Sequence, residues 1–317
     1  MSNSKFIISL DFELFWGVTD VQDLDSYRQN VLGEWEAIPR MLDQFEKYEI
    51  SASWAAVGMT ICENYDEWLE FVPDKTPNYK NKKLSNYNYG DLAQQNPELF
   101  FGKGLLKKID SCPNQEIATH SFSHMYFNED GIDKGDMEKD LDLAFKIAKA
   151  NNLSYSSIVF PRNQYNDEIL DLLPGFGIKN YRGNLDHFLY RDGHYLKGGK
   201  ATRSIRFLDS FFPIHVKKTY SIPEDEELRN IPAGFFLRPY QGNPKVLNPL
   251  KLKRLLNQMN KAAQEKEIFH LWWHPHNFGV FVEENLNYLE IILSHFQNLR
   301  DKYDMESCSM SSLSSYL

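Results

Sequence analysis

The sequence predicts an α/β chain folded as a distorted (β/α) barrel with about seven parallel strands. Three observations predict it. Strand-like and helix-like segments alternate through most of the 317 residues. The strand candidates include compact apolar runs, as expected of parallel strands buried on both faces. The polar residues with chemical potential, Asp11, Glu13, His120, His124, Arg162 and His274, fall just after strand candidates. That is the end at which such barrels build their sites.

The elements follow in order. Phe6 to Leu10 is the first apolar run. Gly33 to Tyr48 reads as a helix, because Trp35, Ile38, Met41, Leu42 and Phe45 recur at helical spacing. Ser51 to Val57 is the next strand, and Glu116 to Thr119 a third that ends at His120. Asp136 to Ala150 is an amphipathic helix with Met137, Leu141, Phe145, Ile147 and Ala148 inward. Ser157 to Phe160 is a strand, and Asp167 to Leu173 a helix stopped by Pro174 and Gly175. Ile178 to Arg182 and Gly234 to Leu237 are short strands. Pro249 to Glu265 is a helix, Ile268 to Trp273 a strand and Glu283 to Tyr303 a long helix, with Met305 to Met310 a candidate last strand. Two excursions break the rhythm, near 74–104 and 185–232. No linker divides the chain, so residues 1–317 are expected to form a single domain carrying these insertions.

Composition excludes several classes. Hydrophobic residues at 42% and charged residues at 25% are the balance of a globular protein. A net charge of −9 argues against nucleic acid as a partner. No stretch approaches the ~20 apolar residues of a membrane span, and Met1 to Lys5 runs into the first strand without an apolar leader. The expectation is a soluble, cytoplasmic protein with no stable membrane insertion. Cys62, Cys112 and Cys308 are far apart and form no CxxC pair, which disfavours a thiolate zinc site.

Four clusters carry chemistry. Asp11 and Glu13 are separated by one residue at a strand exit, so both side chains can enter one space. Their repulsion then calls for a cation, either a metal or an arginine. His120 and His124 form a His-x3-His pair, able to chelate a divalent metal from one helical turn or from a tight loop after the strand. Arg162, in Phe160-Pro161-Arg162, could hold a carboxylate ionised and oriented. His274, before Pro275, could act as a general acid or hold an oxyanion. His276 could do the same, while His270 falls within the strand. Trp272 and Trp273 divide between core and cleft, with Trp273 expected on the cleft side.

Together and in this order, the clusters resemble those of the NodB-like polysaccharide deacetylases, carbohydrate esterase family 4. The resemblance runs from Phe6 to about Gly279. It implies Asp11 as base, Glu13, His120 and His124 as ligands of a divalent metal, most simply zinc, Arg162 as the motif arginine and His274 as acid. Two departures stand out: the acid pair is Asp-Phe-Glu rather than adjacent aspartates, and the arginine motif reads Phe-Pro-Arg rather than Phe-Arg-Pro. The implied activity is removal of an N-acyl group, usually acetyl, from an amino sugar or polysaccharide. Two other functions compete with it: hydrolysis of a small non-sugar amide, and carbohydrate binding without catalysis. With a carbohydrate partner, Tyr79, Tyr87 and Tyr89 in the first excursion are expected to offer rings and hydroxyls to the sugar.

Overall fold

The computed structural model describes residues 3–185, 205, 209, 217–223, 226–240, 242, 245 and 247–313. Ten strands form one curled sheet: β1 Lys5–Phe12, β2 Ala52–Ala56, β3 Gln115–Thr119, β4 Ser157–Val159, β5 Asn180–Arg182, β6 Thr219–Tyr220, β7 Arg229–Asn230, β8 Phe235–Phe236, β9 Ile268–Trp273 and β10 Glu306–Cys308. Its order is β6-β9-β1-β2-β3-β4-β5-β7, with β8 on the edge of β9 and β10 against the start of β1. Every pairing is parallel except β6 with β9. This is the distorted (β/α) barrel anticipated from the alternation. Every residue of β1 is buried, because β2 and β9 flank it and helices cover its outer face.

The second excursion contributes β6 and β7 to the sheet, while much of 185–232 lies outside the described residues. The first excursion folds into short helical turns, including the helix Gly90–Gln95.

Helices pack by their apolar stripes. Glu34–Lys47 buries Ala37, Ile38, Met41, Leu42 and Phe45. Trp35 differs from expectation: it is 38% exposed and donates its indole N–H to the Glu98 carbonyl at 3.1 Å. Lys134–Ala150 begins in a capping box, where Asp133 and Asp136 each accept from the other's backbone N–H. Val282–Tyr303 packs beside Leu247–Glu265. Among the described residues, no helix is long and apolar enough to cross a membrane.

Strand parity sorts the side chains of the sheet. One apolar cluster joins Ile7, Ala55, Ala118, Val159 and Ile268 from the strands with Ile231 just after β7, Cys308 at the end of β10, and Met310 and Leu313 beyond it. Two residues further along, on the same faces, stand Ser9 and His270, whose Oγ and Nε2 lie 2.8 Å apart. Two residues beyond those stand Asp11 and Trp272. This alternation sends Trp273 the other way, into the main core, where it is fully buried and stacks on Phe278 at 5.7 Å. The cleft position expected for Trp273 is therefore occupied by Trp272. Trp273→Ala should lower the unfolding free energy by about 3–5 kcal/mol, as for other large aromatic deletions in cores. Urea denaturation measures it, and a loss under about 1 kcal/mol would contradict this placement.

Candidate active site

β1 delivers the two acids. Asp11 is its penultimate residue and Glu13 follows it, and both are nearly fully buried. Arg182, at the end of β5, meets Asp11 with two parallel contacts, Nη1 to Oδ1 at 2.6 Å and Nη2 to Oδ2 at 2.7 Å. It also donates to Ser9 Oγ at 3.0 Å, and its guanidinium lies over the Trp272 ring at 4.5 Å. Burial works to raise the Asp11 carboxyl, but Arg182, with His120 and His274, holds it below its ordinary value.

His120 and His124 come from the loop after β3, not from a helical turn, which resolves the two geometries open to the His-x3-His pair. Ser121 and His124 take left-handed backbone angles, with φ of 61° and 55°. Several contacts hold that loop. Asp140 accepts from the N–H groups of Phe122 at 2.7 Å and Ser123 at 3.0 Å. The N–H groups of Gly58 and Met59 donate to the Ser121 and Phe122 carbonyls. His120 Nδ1 lies 2.8 Å from the Val159 carbonyl. A carbonyl only accepts, so Nδ1 carries a hydrogen, and Nε2 is the nitrogen that faces Glu13 and would be offered to a metal.

The acids and histidines converge on Glu13. Its Oε2 lies 3.4 Å from His120 Nε2 and 3.2 Å from His124 Nε2. Its Oε1 lies 3.0 Å from His276 Nε2 and 3.9 Å from His274 Nε2. Burial alone would raise the Glu13 carboxyl, yet His274 by charge and His120, His124 and His276 by hydrogen bonding hold it well below its usual range. Glu34, buried nearby, is pushed well above its ordinary value by burial and then by the charge on Glu13.

The donor set fits a divalent metal. Glu13, His120 and His124 each present one ligand atom, all within 4.8 Å of one another, the two-nitrogen, one-oxygen set of open zinc centres. Gly17 makes the room: a Cβ there would overlap the Glu13 carboxylate.

The remaining residues separate. His274 Nε2 is 3.6 Å from Asp11 Oδ2, so the expected acid stands beside the expected base. Arg162 lines the same cavity, but its guanidinium pairs with Asp20 at 2.6 Å and lies over the Tyr126 ring at 4.1 Å. With φ of 54° at Arg162, the chain turns its side chain toward Asp20. The arginine that clamps Asp11 is Arg182, which the motif search missed. Its place as the last residue of the strand candidate Ile178 to Arg182 was the sequence signal for it.

Tyr79, Tyr87 and Tyr89 do not line the cavity. Tyr79 is buried and its hydroxyl accepts from the Tyr126 N–H at 2.9 Å. Tyr89 donates to the Lys83 carbonyl at 3.0 Å, and Tyr87 packs on the core. Their place on a sugar is corrected accordingly: the rings pack on the core or tie their own excursion together. The cavity, about 470 Å³, is walled instead by Trp272, Phe236, Phe235, Val18, Val21 and Leu185 around the acids and histidines.

No protein-family model matches the chain, and no curated protein matches it in sequence. Solved structures do match in fold. A Mycobacterium smegmatis protein assigned as a polysaccharide deacetylase superposes with a TM-score of 0.61 at 13% identity, over 99% of this chain and 90% of that one. A GH57-type branching enzyme from Pyrococcus horikoshii follows at 0.53 and 11%, over 98% and 70%. A 4-alpha-glucanotransferase from Thermococcus litoralis follows at 0.51 and 12%, over 100% and 41%. The architecture is therefore a distorted barrel that these three structures share with this chain. At such identities the likeness concerns fold, and chemistry has to come from the residues.

Gly17→Ala should weaken divalent-metal binding by at least about tenfold, the usual scale for disturbing a ligand's support, while leaving the far-ultraviolet circular dichroism unchanged. Competitive titration against a chelator measures it. Undiminished affinity would show that Glu13 is not a ligand.

Proposed function

We propose that this chain is a metal-dependent amide hydrolase that removes an N-acyl group, acetyl in the first instance, from an amino sugar or polysaccharide. One observation carries the proposal: a Glu13–His120–His124 donor set opens onto the same cavity as an arginine-clamped Asp11. Acyl transfer needs an electrophile, a base and a proton donor close together, and those residue types suit the three tasks. Trp272 and Phe236 give the cavity flat apolar faces of the kind that stack on sugar rings. Its volume also accommodates a small non-sugar amide, so the substrate assay includes both.

A divalent metal held by Glu13, His120 and His124, zinc by the donor chemistry, would polarise the amide carbonyl and acidify water beside it. Asp11, ionised and oriented by Arg182, takes the proton from the attacking water. His274 completes the transfer. Burial pushes its pKa down to about 4 against the pull of Glu13 and Asp11, although a quarter of the side chain faces the cavity. It is therefore neutral at neutral pH. It cannot begin as the acid, so it receives the proton from Asp11, 3.6 Å away, and passes it to the leaving amine. One proton leaves water and one reaches nitrogen.

Two measurements test this. The wild-type chain should bind one equivalent of divalent metal and release acetate from N-acetylated sugars, and His120→Ala with His124→Ala should lose both. Metal retained in that double variant defeats the site. Metal without release of acetate or of any acid from small amides defeats the hydrolase. The pH profile tests the proton route. With His274 neutral, kcat/KM should show no falling limb from about pH 6 to 8. A fall with an apparent pKa near the ordinary imidazole value of about 6.5 would make His274 an acid from the start.

A further inference from the structure

The two oxygens of Glu13 face different partners, and only one set is needed to bind a metal. Oε2 faces His120 and His124. Oε1 faces His276 Nε2 at 3.0 Å, a hydrogen-bond distance between two buried groups. The other nitrogen of His276, Nδ1, lies 2.7 Å from the hydroxyl of Tyr27, and the two rings meet edge-on at 5.4 Å. The helix Leu24–Leu32, which carries Tyr27, is fastened to the same loop: Asn30 Nδ2 donates to the His276 carbonyl at 3.3 Å.

For a neutral His276 ring, hydrogen counting gives the direction of this chain. A neutral imidazole has one N–H and one lone pair, and an ionised carboxylate only accepts. For the 3.0 Å contact to be favourable, Nε2 must carry the hydrogen. Nδ1 is then the acceptor, and Tyr27 must donate to it. The opposite tautomer would set a nitrogen lone pair against a carboxylate oxygen.

The same atoms have a second conceivable use. Glu13, His274 and His276 also bring ligand atoms within 4.8 Å of one another. Two dications would then share one carboxylate, because Asp11 is already matched by Arg182, and the centre would hold a large uncompensated positive charge. The rings of His274 and His276 are also stacked, at an interplanar angle of 30°, so their in-plane lone pairs run side by side instead of meeting.

We propose that His276, held by the Tyr27 hydroxyl at its other nitrogen, is a positioning residue that holds Glu13 Oε1 and so leaves Oε2 as the single ligating oxygen. The proposal rests on the metal-dependent function above. It adds an outer support of the kind that fixes the orientation and basicity of metal ligands.

The test is zinc and cobalt(II) affinity and stoichiometry on the full chain, by competition with a chelator, for wild type, His276→Leu, His276→Gln and Tyr27→Phe. The wild type should take one equivalent. His276→Leu should still take one but bind it tenfold to a hundredfold more weakly, the usual cost of losing such a support. His276→Gln, whose amide N–H can stand near the position of imidazole Nε2–H, should recover most of the loss. Tyr27→Phe, missing one oxygen, should fall between, and it decides the matter if His276→Leu does not fold. Wild-type affinity in Tyr27→Phe and His276→Leu overturns the proposal while leaving metal-dependent function standing. Two equivalents in the wild type and one in His276→Leu also overturn it, by making His276 a ligand. No metal in the wild type overturns this proposal and the metal-dependent function together.

Discussion

Glu13 holds a negative charge where only 2% of the residue reaches solvent. An isolated carboxylate in that position would take up a proton instead of ionising. It stays ionised because four imidazoles surround it, two on each oxygen. Much of the local architecture follows from that requirement. Two of the rings arrive on the loop after β3, which needs left-handed backbone at Ser121 and His124 and the buried Asp140 beneath it. The other two arrive after β9, on a loop fastened to the helix that carries Tyr27. Left-handed angles recur at Leu14, Arg162 and Asn163, each just beyond a strand end. Such conformations cost about 1–2 kcal/mol apiece for residues other than glycine, and their gathering here is typical of sites where geometry outranks local comfort.

Strand parity supplies the second organising constraint. Along β1 one face runs Ile7, Ser9, Asp11, and along β9 it runs Ile268, His270, Trp272. The inside of the curl thus passes from an apolar plug through a hydroxyl and imidazole layer to charged groups in about three steps. Arg182 sits fully buried at the transition. Its fork satisfies Asp11 and Ser9 together, and the Trp272 ring covers its face. His270, below it, is pushed down to about 3 by burial and by the charge on Arg182, so this layer holds one cation and one anion with a neutral imidazole between sheet and site.

Much of this was legible in the sequence. The apolar runs of β1, β2 and β9 and the stripes of the long helices stand where periodicity puts them, because those signals arise from burial itself. Asp11, Glu13, His120, His124 and His274 were found because a strand end followed by a polar residue is a local pattern. Arg182 was missed although it closes the strand candidate Ile178 to Arg182 and so shows the same local pattern; what the pattern does not encode is its partner Asp11, 171 residues away in sequence. Arg162 occupied the motif position instead, and a left-handed turn sends it to Asp20. Trp273 was misplaced although the needed signal was present: His270 and His274 share parity with Trp272. The tyrosines of the first excursion misled for a different reason. Lack of periodicity was read as freedom to meet a ligand, whereas their hydroxyls and rings hold irregular backbone together.

The helix carrying Tyr27 and the loop carrying His276 meet at bare backbone. A side chain on Gly33 would strike the backbone of Gly279, and one on Gly279 would strike the backbone of Asn30. Neither position can accept even a methyl group unless the other segment retreats. The two stretches, nearly 250 residues apart, therefore behave as one heritable unit. Recombination between relatives that separated residues 24–34 from residues 274–281 would join surfaces never fitted to each other, and successful chimeras should carry both stretches from one parent.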